Sequence, residues 1–177
     1  MLFSCGNSQQ EIAEITFEEG FPNEVTENAI IYYSDSAYLK VKLEAPIIER
    51  YHQDEQKAVF TQGIAVEFYD KLGAVDSRIT SNWAVQYEKK GIMEARNDVV
   101  VVNRKGEKLN TEHLVWNRKT QEISSDAFVK ITTPEEIIYG DGLKANEDFT
   151  QYEVQHIKGI IQVEDELEDQ KEDEDVS

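Results

Sequence analysis

Apolar and polar residues alternate along one short segment of this chain after another. Apolar side chains occupy positions 37, 39, 41 and 43, and the same two-residue period returns at Ile64, Val66 and Phe68. Successive side chains of a β-strand point to opposite faces, so this period predicts strands with one buried face. Apolar residues of a helix would instead recur three or four positions apart. The chain is therefore restricted to a fold built largely from half-buried strands.

The longest alternating segment runs from Ile79 to Tyr87. Its positions 79, 81, 83, 85 and 87 are predicted to line one face of a single strand. The four valines at 99–102 indicate burial on both faces or a strong strand preference. Further strands are predicted within residues 128–131, 137–145 and 149–161, and no clear helical period precedes Val163.

Polar turn segments separate these strands at intervals of about ten residues. They lie at residues 70–73, 89–91, 103–106 and 117–120. Pro46 is expected to end the first strand or to mark a sheet edge, and residues 15–28 are expected to be irregular. Short strands at this spacing predict one all-β domain, a sandwich, barrel or roll, and 177 residues suffice for its core.

Acidic residues dominate the charge of the chain. The formal net charge is -18, which argues against a nucleic-acid partner because phosphates would be repelled. Residues 164–175 hold nine carboxylates and one lysine, so residues 162–177 are predicted to form a disordered acidic tail. No apolar run approaches the roughly 20 residues that a membrane-spanning helix needs.

The single cysteine, Cys5, lies in the sequence Leu-Phe-Ser-Cys-Gly, which resembles the lipobox of bacterial lipoproteins. Residues 1–28 are therefore predicted to be a lipoprotein-type leader and tether, with a longer precursor preceding Met1. A lipidated Cys5 would anchor the protein to a membrane, on the periplasmic side, without spanning it. The alternative is a free cysteine in a disordered leader. One cysteine excludes an internal disulfide.

Catalytic and cofactor sites are not predicted. His52, His113 and His156 are far apart in sequence and show no metal-ligand spacing. Residues 140–142, Gly-Asp-Gly, are interpreted as a turn because no helix start follows that could bind phosphate. We predict no enzyme, no metal and no cofactor.

The order of several motifs resembles that of the LptC family, which belongs to the bridge that exports bacterial lipopolysaccharide. The resemblance covers residues 29–161, the predicted folded domain. The motifs are Tyr-Tyr-Ser-Asp at 32–35, the segments 63–70, 79–87, 95–102 and 106–116, and Ile-Ile-Tyr-Gly-Asp-Gly-Leu-Lys-Ala at 137–145. The resemblance implies a twisted, partly open β-jellyroll built from stacked antiparallel strand pairs. Known members carry an N-terminal membrane-spanning helix, whose role a lipidated Cys5 would take.

The resemblance also implies the transport of lipopolysaccharide across the periplasm. The protein would receive lipid from the membrane subunits of an inner-membrane ABC transporter and pass it to an LptA-like bridge protein. The acyl chains of lipid A are expected in an apolar groove inside the roll, since each CH₂ kept from water contributes about 0.8 kcal/mol. The expected groove residues are Val66, Phe68, Ile79, Trp83, Val85, Tyr87, Leu114 and Trp116.

An open roll leaves unpaired backbone groups at two sheet edges, where partner strands can dock. Residues 37–43 are expected to meet the transporter, through Leu39, Val41 and Leu43. Residues 149–161 are expected to meet the bridge protein, through Tyr152, Val154 and Ile157.

Two other functions fit the same sequence. A glycan-binding envelope lipoprotein would present an outward tyrosine patch, formed by Tyr32, Tyr33, Tyr38, Tyr69 and Tyr152. A scaffold lipoprotein would have an interior filled by its own side chains. An apolar groove open at both ends favours lipid transfer, whereas a flat tyrosine patch favours glycan binding.

Overall fold

The computed structural model describes residues 20–52, 55–146, 149 and 151–163. These residues form twelve strands in one antiparallel sheet and no helix, which confirms the prediction of an all-β, jellyroll-like fold. The strands are Glu24–Asp35 (β1), Tyr38–Tyr51 (β2), Lys57–Phe60 (β3), Ile64–Tyr69 (β4), Val75–Ser81 (β5), Trp83–Tyr87 (β6), Ile92–Asn103 (β7), Lys108–Asn117 (β8), Glu122–Thr132 (β9), Glu136–Asn146 (β10), Tyr152–Val154 (β11) and Ile157–Gln162 (β12).

The turn between β4 and β5 shows how local chemistry ends a strand. The Asp70 carboxylate accepts hydrogen bonds from the backbone N–H groups of Leu72 and Ala74, at 2.8 and 2.9 Å. The backbone of Asp70 also pairs with Gly73 and Ala74, which closes the hairpin. Aspartate favours turns because its short side chain can bind nearby backbone donors in this way. The predicted turn at residues 70–73 is confirmed.

The sheet divides into two arms between β2 and β7. Residues 41–44 of β2 pair with β4, and the arm continues through β5 to residues 100–103 of β7. Residues 49–51 of β2 pair with β3, and this second arm continues through β6 to residues 92–96 of β7. Beyond β7 the order is β8, β9 and β10, and both β11 and β12 pair with β10.

A line of backbone irregularities, here called the crease, runs across the strands where the arms separate. In β7 the register shifts between Arg96 and Val99, and the two residues between them have positive φ, 64° at Asn97 and 54° at Asp98. The β8–β9 and β9–β10 ladders shift at corresponding places. Bulges of this kind bend a strand and increase its twist. The long strands therefore turn at the crease and enclose an interior.

Two clusters of buried side chains fill most of this interior. The N-terminal cluster consists of Ala45, Ile48, Ala58, Phe60, Ile64, Val66 and Ala84. The C-terminal cluster consists of Ala95, Val99, Val101, Leu109, Leu114, Ile123, Val129, Ile131, Leu143, Ala145 and Phe149. Half-buried Ile79 packs against both clusters. Each large apolar side chain fully buried here stabilises the fold by about 1.5–3 kcal/mol.

Two sequence-based strand predictions are wrong in their connections. The segment from Ile79 to Tyr87 is two strands, because the chain breaks at Asn82, whose N–H donates to the Asn97 carbonyl at 2.9 Å. Residues 149–161 likewise contain two short strands, separated near His156, which has a φ of 47°. A break in a strand changes the face that the following side chains occupy. The two-residue period of the sequence does not show where such a break lies.

Other boundaries also differ from the prediction. Pro46 does not end its strand, because β2 continues to Tyr51 with Pro46 exposed. β1 begins at Glu24, so the last five residues of the predicted tether belong to the sheet. β3 lies in a segment for which no strand was predicted. Val99 and Val101 are buried while Val100 and Val102 are half-buried, so the four valines alternate.

Two predicted features lie outside the described residues. They are the lipidated cysteine at Cys5 and the acidic tail beyond Val163. Among the strands and turns that are described, there is no helix long and apolar enough to cross a membrane.

Candidate functional site

Five of the eight predicted groove residues lie on the inner face of the roll. Val66 and Ile79 are cross-strand partners, and Ile79 is paired in turn with buried Val101. Phe68 meets Trp116 edge to face across the interior, with ring centroids 5.9 Å apart and planes at 80°. Leu114 joins the C-terminal cluster. The structure therefore brings Val66, Phe68, Ile79, Leu114 and Trp116 together, as the sequence predicts.

The other three groove residues, Trp83, Val85 and Tyr87, lie on the outer face, which corrects the prediction. Ala84 lies opposite the core residues Phe60 and Ala95, so its two neighbours in β6 point the other way. The Arg96 guanidinium lies over the Trp83 ring at 5.6 Å, and Lys90 Nζ lies over the Tyr87 ring at 5.0 Å. Val85 is 2% exposed, but its cross-strand partners are Val59 and Glu94 on the outside. The break at Asn82 causes this reversal.

The middle of the interior is packed. Val66 and Leu114 are 5% and 3% exposed, so neither presents surface to a ligand in this conformation. Trp116 is half-buried, and its indole Nε1 is enclosed with no hydrogen-bond partner among the described residues. A buried donor without an acceptor costs about 1–3 kcal/mol. This N–H could bind an acceptor that enters from outside.

The inner face opens at the β1 end of the sheet. Ile31 and Tyr33 are paired with Leu43 and Val41, which are paired in turn with Val66 and Phe68 of the interior. Ile31 is 40% exposed and Tyr33 is 58% exposed, while Val41 is half-buried. The packed interior is therefore continuous with an accessible apolar surface at the β1 end of the sheet. Ile31 and Tyr33 were missing from the predicted groove, and only their register with β2 identifies them.

The inner face is also accessible at the opposite end of the sheet. Ile160 is paired with Ile138, which packs against the C-terminal cluster. Ile160 is 52% exposed and Ile157 is 57% exposed. Tyr152 and Val154 of β11 are half-buried and pack against the same cluster. The apolar inner face therefore reaches both ends, with a packed middle.

An open groove of about 550 Å³ follows the crease beside β1. Its lining includes Ala29, Ala45, Pro46 and Ile64 together with polar residues of the β5–β6 connection. Gly63 has a φ of 87°, and a Cβ there would lie 2.5 Å from the Ser81 carbonyl oxygen. Glycine at this position allows the β3–β4 turn to approach β5 closely.

The predicted edge at Leu39, Val41 and Leu43 is not a sheet edge. β2 has β1 on one side and β4 with β3 on the other, so the strand at this end of the described sheet is β1. The sequence predicts irregular structure for residues 15–28 and alternation from residue 37, so the predicted edge lies one strand too far in. At the other end β10 is the one described strand that pairs with β11 and β12, so Tyr152, Val154 and Ile157 lie in edge strands as expected.

The five tyrosines of the glycan-binding alternative do not form one patch. Tyr32 is exposed on the outer face, Tyr33 lies on the inner face and Tyr152 packs against the C-terminal cluster, while Tyr38 is exposed beyond the register shift that follows Tyr33. The Tyr69 hydroxyl donates to Glu67 at 2.6 Å. This bond is the main cause that lowers the pKa of Glu67 and raises that of Tyr69. The arrangement does not match a flat sugar-binding platform.

A small charged cluster lies on the outer face of the crease. His113 Nδ1 is 2.7 Å from Asp126 Oδ1, and its Nε2 is 3.7 Å from Glu94. The hydrogen bond to His113 lowers the pKa of Asp126. Glu94 is also bound by Arg96 at 2.8 Å. Within the described ranges, no three His, Cys, Asp or Glu side chains are grouped so that they could hold a metal ion.

Comparison with known proteins identifies one family. The family model described as lipopolysaccharide-assembly, LptC-related, matches residues 26–162, which is most of the chain. The matched region begins within β1 and ends with β12, so it coincides with the observed sheet. A search of curated proteins finds no match.

Proposed function

The chain belongs to the LptC family of lipopolysaccharide-assembly proteins, and we propose that it carries the lipid on the inner face of its β-roll. Membership in this family indicates a role in lipopolysaccharide transport in the cell envelope. The observation that carries the proposal is the half-exposed inner surface of Ile31, Tyr33, Val41 and Leu43, continuous with the packed interior. We propose that the acyl chains bind there first.

The energetics favour a carrier that binds reversibly. An acyl chain that covers this surface gains about 0.8 kcal/mol for each CH₂ removed from water. Deeper entry is proposed to require the Phe68–Trp116 contact to open, because Phe68 is the cross-strand partner of Val41 and meets Trp116 next to it. The cost of opening would offset part of the gain, so the lipid could be released to the next protein.

Trp116 provides a polar contact within this apolar path. Its enclosed Nε1–H has no acceptor among the described residues. The ester and amide carbonyls that join acyl chains to lipid A are acceptors of the required kind. A hydrogen bond to the bound lipid would remove the cost of the unpaired donor.

Lipid would enter and leave at the two sheet edges. We propose that the membrane subunits of an ABC transporter add a strand beside β1, and that an LptA-like bridge protein adds one beside β11 and β12. Strand addition satisfies the outward backbone groups of an edge strand and aligns the inner faces of both proteins. The apolar inner face would then be continuous from one protein to the next.

A lipidated Cys5 is proposed to hold the protein at the membrane on the periplasmic side through its acyl group. A Cys5→Ala variant should then move from the membrane fraction to the soluble periplasmic fraction. Retention of that variant in the membrane fraction would contradict lipid anchoring.

Photocrosslinking in cells tests the carrier proposal. A photoreactive amino acid at Val41 faces the inner surface, and the same amino acid at Lys42 faces outward from the same strand. We expect lipopolysaccharide adducts at Val41 and none at Lys42. If Val41 and Leu43 both give no adduct in a folded and correctly located protein, the carrier proposal is wrong.

Replacing Trp116 by Phe tests the polar contact separately from packing. The unfolding free energy should change by no more than about 1 kcal/mol, because removing the unpaired donor offsets the lost area. Lipid crosslinking at Val41 should decrease. Trp83→Phe makes the same change on the outer face and should leave crosslinking unchanged. Equal effects of the two variants would contradict a Trp116 contact.

The edge assignments are tested by crosslinking to protein partners. A photoreactive residue at Ile30 in β1 should capture transporter membrane subunits, and one at Ile161 in β12 should capture the bridge protein. Both side chains are more than half exposed, at 55% each. A reversed pattern would show that lipid passes through the sheet in the opposite direction.

A scaffold is the second candidate function, and the packed middle of the interior favours it. A scaffold would give the protein adducts at Ile30 and Ile161 without lipid adducts at Val41. The two crosslinking experiments together therefore separate a carrier from a scaffold.

A further inference from the structure

An aromatic and cationic patch lies on the outer face of β9, β10 and β12, away from the interior. Phe128 and Tyr139 stack with ring centroids 6.0 Å apart and planes at 24°. Lys130, the cross-strand partner of Tyr139, places its Nζ 5.9 Å from the centre of the Tyr139 ring. These three residues, with Asp141 and Lys158 beside them, are here called the outer platform.

The register places the outer platform on the face opposite the core. Val129 and Ile131 are buried in the C-terminal cluster, so the residues between and beside them in β9 point outward. Phe128 is 50% exposed although it is a large apolar residue. Tyr139 is half-buried beneath this contact, so the uncovered apolar surface is mainly that of Phe128, and covering it with a ligand would be favourable.

The charge of the outer platform differs from that of the whole chain. Lys158 forms an ion pair with Asp141 at 2.6 Å, and among the described residues of the outer platform the Lys130 ammonium is the charge left beside the rings. The chain as a whole has a net charge of -18. An anionic ligand would be repelled by most of this protein's surface and attracted to this position.

We infer that the outer platform binds a phosphorylated saccharide, with a sugar ring on the exposed Phe128 ring and a phosphate at Lys130. The face of Phe128 that is turned away from Tyr139 presents a C–H-binding surface to a pyranose, and the lysine supplies a mobile cation for phosphate. Asp141 and Lys158 add an acceptor and donors for hydroxyl groups.

The identity of the ligand rests on the proposed function. A lipopolysaccharide carrier encounters one abundant phosphorylated saccharide, the headgroup of the lipopolysaccharide that it transports. The acyl chains would occupy the inner face of one molecule while the outer platform contacts the headgroup of another, or of lipid in a neighbouring membrane. Free inorganic phosphate is the other source of the same anion.

Titration of the full chain followed by amide NMR shifts tests this inference. The probe is a bisphosphorylated glucosamine disaccharide without acyl chains, which cannot bind through the inner face. We expect shifts at Phe128, Lys130 and Tyr139, and about threefold to tenfold weaker binding for Phe128→Ser, the range for loss of one aromatic contact. Lys130→Gln should weaken binding about twofold to fivefold, as for one exposed charge pair.

Matched variants and ligands make each outcome decisive. Lys57 Nζ lies over another tyrosine ring, 5.1 Å from the centre of Tyr51. Lys57→Gln therefore removes the same kind of charge elsewhere and should leave binding unchanged. If inorganic phosphate alone gives the same shifts and affinity, the saccharide part of the inference is wrong. If Phe128→Ser lowers stability but not affinity, the stack is only structural and the inference is overturned. Absence of headgroup binding with lipid adducts retained at Val41 would overturn the outer platform and leave the proposed function standing.

Discussion

Single residues decide which face of this sheet a side chain occupies. Asn82 interrupts the alternation between Ile79 and Trp83, and its N–H is held by the Asn97 carbonyl of the β7 bulge. Because one residue reverses the period, Trp83 and Val85 lie outside while Ile79 lies inside. An unbroken strand would have placed all three in the interior.

The connection between β11 and β12 lies very close to β10, and this approach depends on Gly140. A Cβ at this position would overlap Val154 and lie 2.7 Å from the Gln155 carbonyl oxygen. We expect Gly140→Ala to lower the unfolding free energy by about 1–3 kcal/mol, the cost of overpacking, and to speed hydrogen exchange in β11. Gly159→Ala in β12 is the control, since no atom of the described residues lies within 4 Å of its Cβ position. Equal stability of the two variants in urea unfolding would contradict this explanation.

The contact between Asp126 and His113 predicts part of the acid sensitivity. The hydrogen bond from His113 lowers the pKa of Asp126 below its ordinary 3.8. A carboxyl group with a depressed folded pKa stabilises the fold above its unfolded pKa, and this contribution is lost as the pH falls through the folded value. The stability difference between the wild type and Asp126→Asn should therefore shrink as the pH falls through the ordinary range of aspartate titration and below it. A difference independent of pH in urea unfolding would show that the charge contributes nothing.

At the scale of elements, the bulge in β7 positions the crease. Asn97 and Asp98 adopt positive φ, a conformation that Asn and Asp tolerate better than β-branched residues do. We expect Asn97→Val to lower the unfolding free energy by about 1–2 kcal/mol and Asn97→Gly to change it by a few tenths. Urea unfolding measures both. If valine is tolerated as well as glycine, the left-handed backbone is not what positions the bulge.

The edge strand β1 shows a different dependence on context. Its apolar residues Ile30, Ile31, Tyr32 and Tyr33 are all exposed, and no alternation separates an inner from an outer set. The strand is defined by pairing with β2 along nearly its whole length. Alternation therefore does not predict this strand, and the sequence places the edge in β2 instead.

At the scale of the molecule, one sheet carries both core clusters. Phe60 belongs to the N-terminal cluster and Leu143 to the C-terminal cluster, and Ile79 packs against both. We expect Phe60→Ala and Leu143→Ala to cost about 3–5 and 2–5 kcal/mol, respectively, and each to shift a single unfolding transition. Calorimetry and tryptophan fluorescence should report the same midpoint. Two separate transitions in either variant would show that the clusters unfold independently.

The sequence by itself determined the strand content, most turns and the acidic charge, because these follow from alternation and turn chemistry within a few residues. It also identified the family, and with it lipopolysaccharide transport. Of the predicted groove, it correctly grouped Val66, Phe68, Ile79, Leu114 and Trp116 on the inner face.

The tertiary structure alone decided which face follows a break, which strand forms the edge and where the interior opens. Tyr33 belongs to the inner face only because it pairs with Val41, and Trp83 is excluded only because Ala84 pairs with Ala95. Cross-strand partners are distant in sequence, and a shift of one residue exchanges the two faces of a strand. Local alternation therefore predicts that a face is buried, and long-range pairing selects the residues that form it.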